Sequence, residues 1–285
     1  MLDLAVAGLS AGGTYALIGV CLVLLYRVGA VVNFSLTFGP TLAVVAMTDF
    51  LGVWELGLWA SVALAIALGT AIAALQGWVM ATLFRESTVL IRSTVSMAMA
   101  IAMFGLATRI FHDEPRFYPT LFKSLGRDVG GVVVTGTVIM AFGTAIVTAL
   151  AIWLVLSYTR IGVILRAVSS RPVTAELMGV GTTVLIVLVW AVAGALTTSG
   201  LVLVAPTRSS IPNMVILIIP GLAAAIFGAM RSLLMTVIGG TVIGMIESVA
   251  LEWGAIGNYR PTISFVAITL VLLWSQRKET WSEAR

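Results

Sequence analysis

Residues 131–157 read GVVVTGTVIMAFGTAIVTALAIWLVLS, a run without a charged side chain. About 20 apolar residues in a helix are enough to cross the hydrocarbon core of a bilayer, and this run exceeds that length. The rest of the chain has the same character, since 60% of its 285 residues are hydrophobic and 10% are charged, with a mean hydropathy of +1.12. Soluble domains have roughly a quarter of their residues charged. The composition therefore predicts a membrane protein and excludes a soluble enzyme.

Apolar runs of similar length recur along the whole chain. They lie at about 4–26, 30–48, 56–83, 93–111, 131–157, 181–205, 213–230, 232–252 and 261–275. Backbone polar groups must be satisfied within lipid, and barrel strands would alternate over about ten residues, so these runs are expected to be helices. We predict an all-α, polytopic protein with about eight or nine transmembrane or re-entrant helices in a single transmembrane domain, 1–285. Pro40 and Pro220, each with neighbouring glycines, make the runs at 30–48 and 213–230 candidates for broken or re-entrant segments.

The distribution of charge predicts how the chain is oriented. If all nine runs cross, most of the Lys and Arg residues fall on the side of the C-terminus, and the other side holds slightly more acidic than basic residues. The positive-inside rule then places the N-terminus outside and the C-terminus in the cytoplasm. The first run begins Met1-Leu2-Asp3 without a basic segment, so we expect a retained span and not a cleaved signal peptide.

Several kinds of chemistry are excluded by the residues that the chain lacks. Cys21 and His112 are its one cysteine and one histidine, so a disulfide framework, a Cys/His metal cluster or a Ser/His or Cys/His pair is not expected. The two lysines, Lys123 and Lys278, do not follow a glycine, which excludes the phosphate-binding G-x-x-x-x-G-K-[ST] loop. We therefore expect no catalytic residues, metal or cofactor in this chain. Any energy from ATP must come from a partner.

The longest inner connection, at about 158–181, has helical periodicity and the three arginines Arg160, Arg166 and Arg171. Two interpretations remain open for it. It is an interfacial helix anchored by snorkelling arginines, or it is a docking element for a cytosolic motor.

This connection also carries a family resemblance. The stretches Thr159-Arg160-Ile161-Gly162, Arg166-Ala167 and Ala175-Glu176-Leu177-Met178-Gly179-Val180 resemble the cytoplasmic coupling loop of the branched-chain amino acid permeases of ABC importers. The resemblance continues, in the order of the family, in GLSAGGTYAL at 8–17, VNFS at 32–35, AAAIFG at 223–228 and IGGTVIGMIE at 238–247. Together these motifs cover most of the chain.

The resemblance implies a transport subunit that is not itself an enzyme. Its expected partners are ABC ATPase subunits that carry ATP and Mg, a second permease of the same superfamily in a heterodimer, and an extracytoplasmic solute-binding protein. The expected location is the bacterial cytoplasmic (inner) membrane. The residues expected to couple the chain to the ATPase are Arg160, Gly162, Arg166, Ala175, Glu176 and Gly179.

Polar residues within the apolar runs are candidates for the solute path, because unwound backbone and half-helix ends can contact a solute away from lipid. The candidates are Thr14, Tyr15, Asn33, Ser35, Thr37, Ser96, Asn213 and Glu247. An isolated hydroxyl more often bonds to a carbonyl of its own helix. Asn33 has no local helical partner and is therefore the stronger candidate.

The long outer segment at about 111–130 carries charges of both signs. It is a candidate docking surface for the solute-binding protein, or an ordinary solvated loop. Its charged residues are Asp113, Glu114, Arg116, Lys123, Arg127 and Asp128.

Departures from the family pattern leave the solute open. The histidine that usually follows the Asn-Phe pair is missing after Asn33-Phe34, and Gly228-Ala229-Met230-Arg231-Ser232 stands where the family usually reads Gly-Gly-Ile-Gly-Ser. Branched-chain or related amino acids, urea and short amides all remain candidates. A different class of protein, an ion-coupled secondary transporter, would use Glu247, the one acid well inside a predicted span. On scales of membrane insertion, an unpaired carboxylate there costs about a few kcal/mol.

Overall fold

The computed structural model describes residues 2–29, 31–112, 114, 116–129, 132–170, 172–207, 210–250 and 260–283. The helices are α1 (Leu2–Gly29), α2 (Phe38–Gly52), α3 (Leu58–Thr82), α4 (Val89–Phe111), α5 (Gly136–Tyr158), α6 (Arg160–Ser170), α7 (Pro172–Leu177), α8 (Thr182–Val204), α9 (Ile211–Val215), α10 (Ile218–Phe227), α11 (Leu233–Ala250) and α12 (Arg260–Glu283). Two three-residue strands, β1 (Arg127–Val129) and β2 (Val132–Val134), pair antiparallel before α5.

The helices coincide with the apolar runs of the sequence. Among the described residues, six helices are long and apolar enough to cross a membrane, and three shorter apolar helices lie at Phe38–Gly52, Ile211–Phe227 and Thr262–Leu273. The predicted all-α, polytopic fold is confirmed. Two of the short helices fall in the runs that Pro40 and Pro220 marked as interrupted, since residues 31–37 form no regular helix before α2 and the second run is divided into α9 and α10.

Helix α1 lies at the centre of the bundle. In its most apolar 18-residue segment, 83% of the residues are buried, whereas 11% are buried in the corresponding segment of α4. The large side chains of Tyr15, Leu17, Ile18 and Leu22 are completely or almost completely buried. Helix α1 packs against α5, α8, α10 and α11, so it connects the two halves of the chain.

Glycines allow the backbones of α1 and α11 to approach closely. A Cβ atom added to Gly8 would lie 2.6 Å from the carbonyl oxygen of Gly244, and one added to Gly240 would lie 2.5 Å from the nitrogen of Ala16. Small residues at helix interfaces replace the hydrophobic driving force that is absent between helices in lipid. The order of these contacts shows that α1 and α11 run antiparallel.

Helices α3 and α8 form a second close pair by the same means. A Cβ atom on Gly77 would lie 2.6 Å from the Cβ of Trp190, and one on Gly194 would collide with the Cβ of Ala73. In the part of the chain that the structure describes, α1 with α11 and α3 with α8 are therefore close antiparallel pairs, and the other helices pack around them.

Polar contacts identify the two ends of the bundle. At one end, which we call the arginine end, an Nη of Arg27 donates to the carbonyl of Arg231, and Arg85 pairs with Glu176. At the opposite end, Arg116 Nη1 lies 2.8 Å from Asp49 Oδ1. Arg27, Arg85 and Arg231, which the charge pattern assigned to one side of the membrane, thus lie at the same end.

We expect Gly240→Leu to destabilise the protein by about 1–3 kcal/mol, because the side chain has no space against α1 and one of the helices must shift. Thermal unfolding of the detergent-solubilised protein, followed by fluorescence-detected gel filtration, measures the effect. Gly105→Leu on α4 is the matched control, since no atom lies within 4 Å of a Cβ built there. Equal melting temperatures for the two variants would contradict the packing of α1 on α11.

Candidate functional site

The two interrupted segments meet inside the bundle. Thr37 is completely buried where the non-helical stretch 31–37 enters α2, and its Oγ1 donates to the carbonyl oxygen of Val215 at 2.9 Å. Val215 is the last residue of α9, before the turn into α10. Non-helical backbone at membrane depth is tolerated where protein surrounds it or where it lines a cavity. At this contact a side chain from one interruption satisfies a backbone group of the other.

A buried network of amide and hydroxyl groups adjoins this contact. Asn33 Oδ1 accepts hydrogen bonds from the nitrogen of Ser35 at 2.9 Å and from its Oγ at 2.8 Å, and this Oγ lies 3.4 Å from Gln76 Oε1. The bond from the Ser35 nitrogen closes an Asx turn, which favours a non-helical backbone at this position. Asn33 and Ser35, both predicted path residues, are therefore brought together with Thr37 on one short stretch.

Gln76 is a buried member of this network that the sequence analysis did not select. It is the one side-chain amide in the run at 56–83, which was the available signal. Among the described residues, Gln76 Nε2 and the nearby Thr41 Oγ1 are buried without a hydrogen-bond partner. Because a buried polar group without a partner costs about 1–3 kcal/mol, such groups commonly mark a site for a ligand or water.

Ser96 joins α4 to the interrupted stretch. Its Oγ donates to the carbonyl of Ser93 at 2.7 Å and accepts from the nitrogen of Phe34 at 3.3 Å. Beside it, a cavity of about 50 Å³ is lined by Asn33, Ser96, Arg92 and Trp190, among others. A cavity of this size holds water, whose share of liquid volume is about 30 Å³, but no amino acid.

Two other predicted path residues are not part of this network. The hydroxyl of Thr14 bonds to the carbonyl of Ser10 in its own helix at 3.3 Å, and Asn213 is exposed on α9. Ser210, which flanks α9, is half-buried, and Ser209 lies outside the described residues.

Tyr15 and Glu247 form a separate buried cluster. Tyr15 Oη donates to Glu247 Oε2 at 2.7 Å, and Ser264 Oγ donates to Glu247 Oε1 at 2.9 Å. Helices α1, α11 and α12 each supply one of these residues, and none of them belongs to the interrupted segments. The interior position predicted for Glu247 is therefore found, with hydroxyl groups as its hydrogen-bond partners.

The connection between α5 and α8 folds into the two short helices α6 and α7. Gly162 is at a close approach, because a Cβ atom there would lie 2.7 Å from the Cα of Leu156. Arg166 donates to the carbonyl of Leu156. Two exposed apolar side chains, Leu177 and Met178, follow at the end of α7.

Contacts beyond the connection hold α7 in place. Glu176 accepts hydrogen bonds from Arg85, which follows α3, and from the hydroxyl of Thr182 at the start of α8. Ala175 is buried, and its carbonyl accepts from the nitrogen of Val180 at 3.1 Å. Gly179 has a φ of +84°, a conformation that favours glycine, and turns the chain after α7. Arg160 is exposed at the start of α6.

The outer segment at 111–130 is partly bound to the bundle. Arg116 donates to Thr48 Oγ1 at 2.6 Å, to Asp49 at 2.8 Å and to the carbonyl of Phe111 at 2.9 Å. Burial raises the pKa of the adjacent Tyr118 to about 12. Arg116 thus holds the segment against α2, whereas Glu114 is exposed. Asp113 and the side chains of Lys123, Arg127 and Asp128 lie outside the described residues.

A bundle of membrane-length helices whose two interrupted segments meet at a buried polar network has the architecture of a membrane permease. The family model described as the branched-chain amino acid transport system / permease component matches residues 4–274. The chain belongs to this family and is a multi-pass permease subunit of an ABC transporter.

The fold is shared with a solved structure. A protein described as a metal-chelate type ABC transporter in an inward-facing conformation is similar to this chain with a TM-score of 0.53 and 19% sequence identity, covering 95% of this chain and 85% of that one. No curated protein matches the chain.

We expect Glu247→Gln to retain most of the transport activity, because the amide oxygen can still accept a hydrogen bond from Tyr15 or Ser264. Uptake by cells expressing the variant, normalised to the amount of protein in the membrane, measures this. Near-complete loss of uptake with normal insertion would show that the carboxylate is required, as in a proton-coupled transporter.

Proposed function

We propose that this chain is the permease subunit of an ATP-driven importer for a small polar organic solute, a branched-chain amino acid or a related amino acid. The observation that carries the proposal is the hydrogen bond from Thr37 to Val215, where the interrupted segments of the two halves meet. Broken helices near the midplane of a membrane are typical of solute sites in transporters. Membership of the permease family supports the same conclusion.

The proposed path passes the residues that surround this contact. Asn33, Ser35, Thr37 and Ser96 belong to it as predicted, and Gln76 is added because its buried Nε2 has no partner among the described residues. Thr14 bonds within α1, and Tyr15 and Glu247 form the separate cluster, so we assign these three residues to the packing of the helices and not to the path. Asn213 is exposed on α9, so it would contribute to the path only from the surface of this chain.

A second permease of the same superfamily completes the path. Helix α4 carries Ser96 and Arg92 on one side, and most of its surface is exposed, including Met97 and Ile101. A path bordered by one exposed helix requires a second wall, which a related subunit in a heterodimer supplies. An extracytoplasmic solute-binding protein delivers the solute at the opposite end, where Glu114 is exposed.

The charge distribution supports an orientation in the bacterial cytoplasmic membrane. The arginine end faces the cytoplasm, following the positive-inside rule, so the N-terminus is outside and the C-terminus inside. ABC ATPases dock on α6 and α7 at this end, where Leu177 and Met178 are exposed. ATP and Mg are bound by those partners, and the permease supplies no cofactor.

Urea or a short amide is the second candidate for the solute. The buried groups of the network are neutral amides and hydroxyls, from Asn33, Ser35 and Gln76. Such groups match the donors and acceptors of an amide, and the charged residue that lines the adjoining cavity, Arg92, provides a counter-charge for a carboxylate but not for an ammonium group. An ion-coupled mechanism has less support, because the hydrogen bonds described for Glu247 come from the hydroxyl groups of Tyr15 and Ser264 and not from a second carboxylate or a basic group.

We expect Thr37→Val to reduce ATP-driven uptake by about fivefold or more, because the Val215 carbonyl loses its donor and an unpaired buried group costs about 1–3 kcal/mol. The measurement is uptake of labelled leucine or urea into proteoliposomes that contain the permease with its co-purified subunits. Thr70→Val is the matched control, since that hydroxyl bonds to Ile66 in its own helix.

The two variants also test the proposal as a whole. If uptake of one of the labelled solutes requires ATP, and only Thr37→Val reduces it, the result supports an importer and identifies the class of solute. Uptake driven by an ion gradient without ATP would reject the importer. Equal activity of both variants would reject the path.

We expect Glu176→Lys to release the ATPase or uncouple it from transport. The lysine would repel Arg85 and could not accept the hydrogen bond from Thr182, so α7 would be displaced. Mass spectrometry of the subunits that co-purify in mild detergent, together with ATP-driven uptake, measures both effects. Glu86→Lys is the matched control, because it makes the same charge change at an exposed position of the arginine end. Gly162→Pro, which alters the close approach to Leu156, should act in the same way as Glu176→Lys. Normal assembly and full transport in the Glu176 and Gly162 variants would contradict docking on α6 and α7.

A further inference from the structure

A groove at the arginine end separates α5 from α11. It has a volume of about 590 Å³. Its walls are apolar, with Ile146, Leu150 and Trp153 on α5 and Leu234 and Val237 on α11. Leu150 and Leu234 are 53% and 67% exposed. In a chain that spans a membrane, side chains this exposed on the outer surface of two helices contact either lipid tails or another subunit.

The end of this groove is cationic. Arg27 and Arg231 both line it, together with the half-buried Ser232. A neighbouring cavity of about 390 Å³ is also lined by Arg27 and adds Arg166, along with Ser169 and Ser170. Among the described residues that line the two cavities there is no acid, and none of the three arginines forms an ion pair with a described residue.

The chain builds this cluster at an energetic cost. Arg27 and Arg166 line the same cavity, where their like charges repel each other. Arg231 follows two non-glycine residues in the left-handed region, Ala229 and Met230, with φ of 50° and 54°, a conformation that costs roughly 1–2 kcal/mol per residue. An anion bound between the guanidinium groups would relieve the repulsion and accept hydrogen bonds from them.

We propose that this groove binds one anionic phospholipid of the bilayer, with its phosphate at Arg27 and Arg231 and its acyl chains along α5 and α11. The site combines a cationic end with an apolar wall that continues along the helices, which is the pattern of an amphiphile and not of a free anion. Trp153 lies where the wall meets the arginines, and tryptophan is enriched at the level of lipid headgroups.

Charge complementarity favours lipid over a protein subunit as the occupant. Basic side chains near the cytoplasmic surface attract anionic lipid by about 1 kcal/mol each. A protein covering the groove would have to place acidic groups opposite Arg27 and Arg231 at the edge of the hydrocarbon layer, where charged side chains are costly. Because Arg166 on α6 shares the cluster, the bound headgroup also connects α1 and α11 to the connection between α5 and α8.

The test is native mass spectrometry of the full-length chain with its co-purified subunits, titrated with phosphatidylglycerol and, separately, with phosphatidylcholine. We expect one phosphatidylglycerol to bind in preference to phosphatidylcholine, and Arg231→Gln to weaken this binding by about fivefold. The substitution preserves the hydrogen bond between α1 and the residues before α11, because the backbone carbonyl of Arg231, and not its side chain, accepts this bond from Arg27. Arg109→Gln removes one charge from an exposed position in the last turn of α4, outside both cavities, and should leave binding unchanged.

A second variant tests the apolar wall of the groove, and a competitor tests whether a phosphate group alone is enough for binding. Trp153→Ala should also weaken phosphatidylglycerol binding, and inorganic phosphate at the same concentration should not displace the lipid. Equal binding of the two lipids, equal loss in Arg231→Gln and Arg109→Gln, or displacement by inorganic phosphate would each overturn the proposal. Loss of the lipid whenever a second permease is bound would also overturn it, because the groove would then be a subunit interface.

Discussion

The close approach of α1 and α11 is the constraint on which the rest of the structure depends. Helices gain little from burying apolar surface when the surrounding lipid is equally apolar, so the glycines that let two backbones touch determine which helices associate. With Gly8 against Gly244 and Ala16 against Gly240, the antiparallel pair places Tyr15 beside Glu247 and brings Arg27 to Arg231. One row of small residues thus positions both a buried carboxylate and the cationic end of a surface groove.

The interrupted segments depend on this rigid pair, because broken helices are stable at membrane depth only when other protein surrounds them. Helix α1 packs against α10 and α8 as well as α11, and it therefore encloses the second interruption. The Asx turn at Asn33 and the hydroxyl of Thr37 satisfy backbone groups that a continuous helix would satisfy itself. Such an arrangement leaves polar groups in the interior that a change of conformation can offer to a solute.

The sequence predicts the helices well and their contacts poorly. Length and hydropathy located all nine apolar segments, and Pro40 and Pro220 marked the two that are interrupted. Helices that are apolar on every side carry no periodic signal for the face that is buried, so the partnership of Tyr15 with Glu247, the role of Gln76 and the exposure of Asn213 were not predictable. The same limit applies to Ser264 and to the pair of Arg85 with Glu176, since residues far apart in sequence meet through packing alone.

The arginines of the arginine end must meet two requirements at once. Under the positive-inside rule, arginines there are expected to orient the chain, yet each needs a partner in a region where charge is expensive. Arg85 has one in Glu176, and Arg166 uses the carbonyl of Leu156. Arg27 uses the carbonyl of Arg231, which leaves the Arg231 guanidinium facing the groove without an acid among the described residues. Since a carbonyl neutralises no charge, the described residues leave this cluster positively charged, which favours an anion at the end of the groove, and the bilayer is the source that we propose.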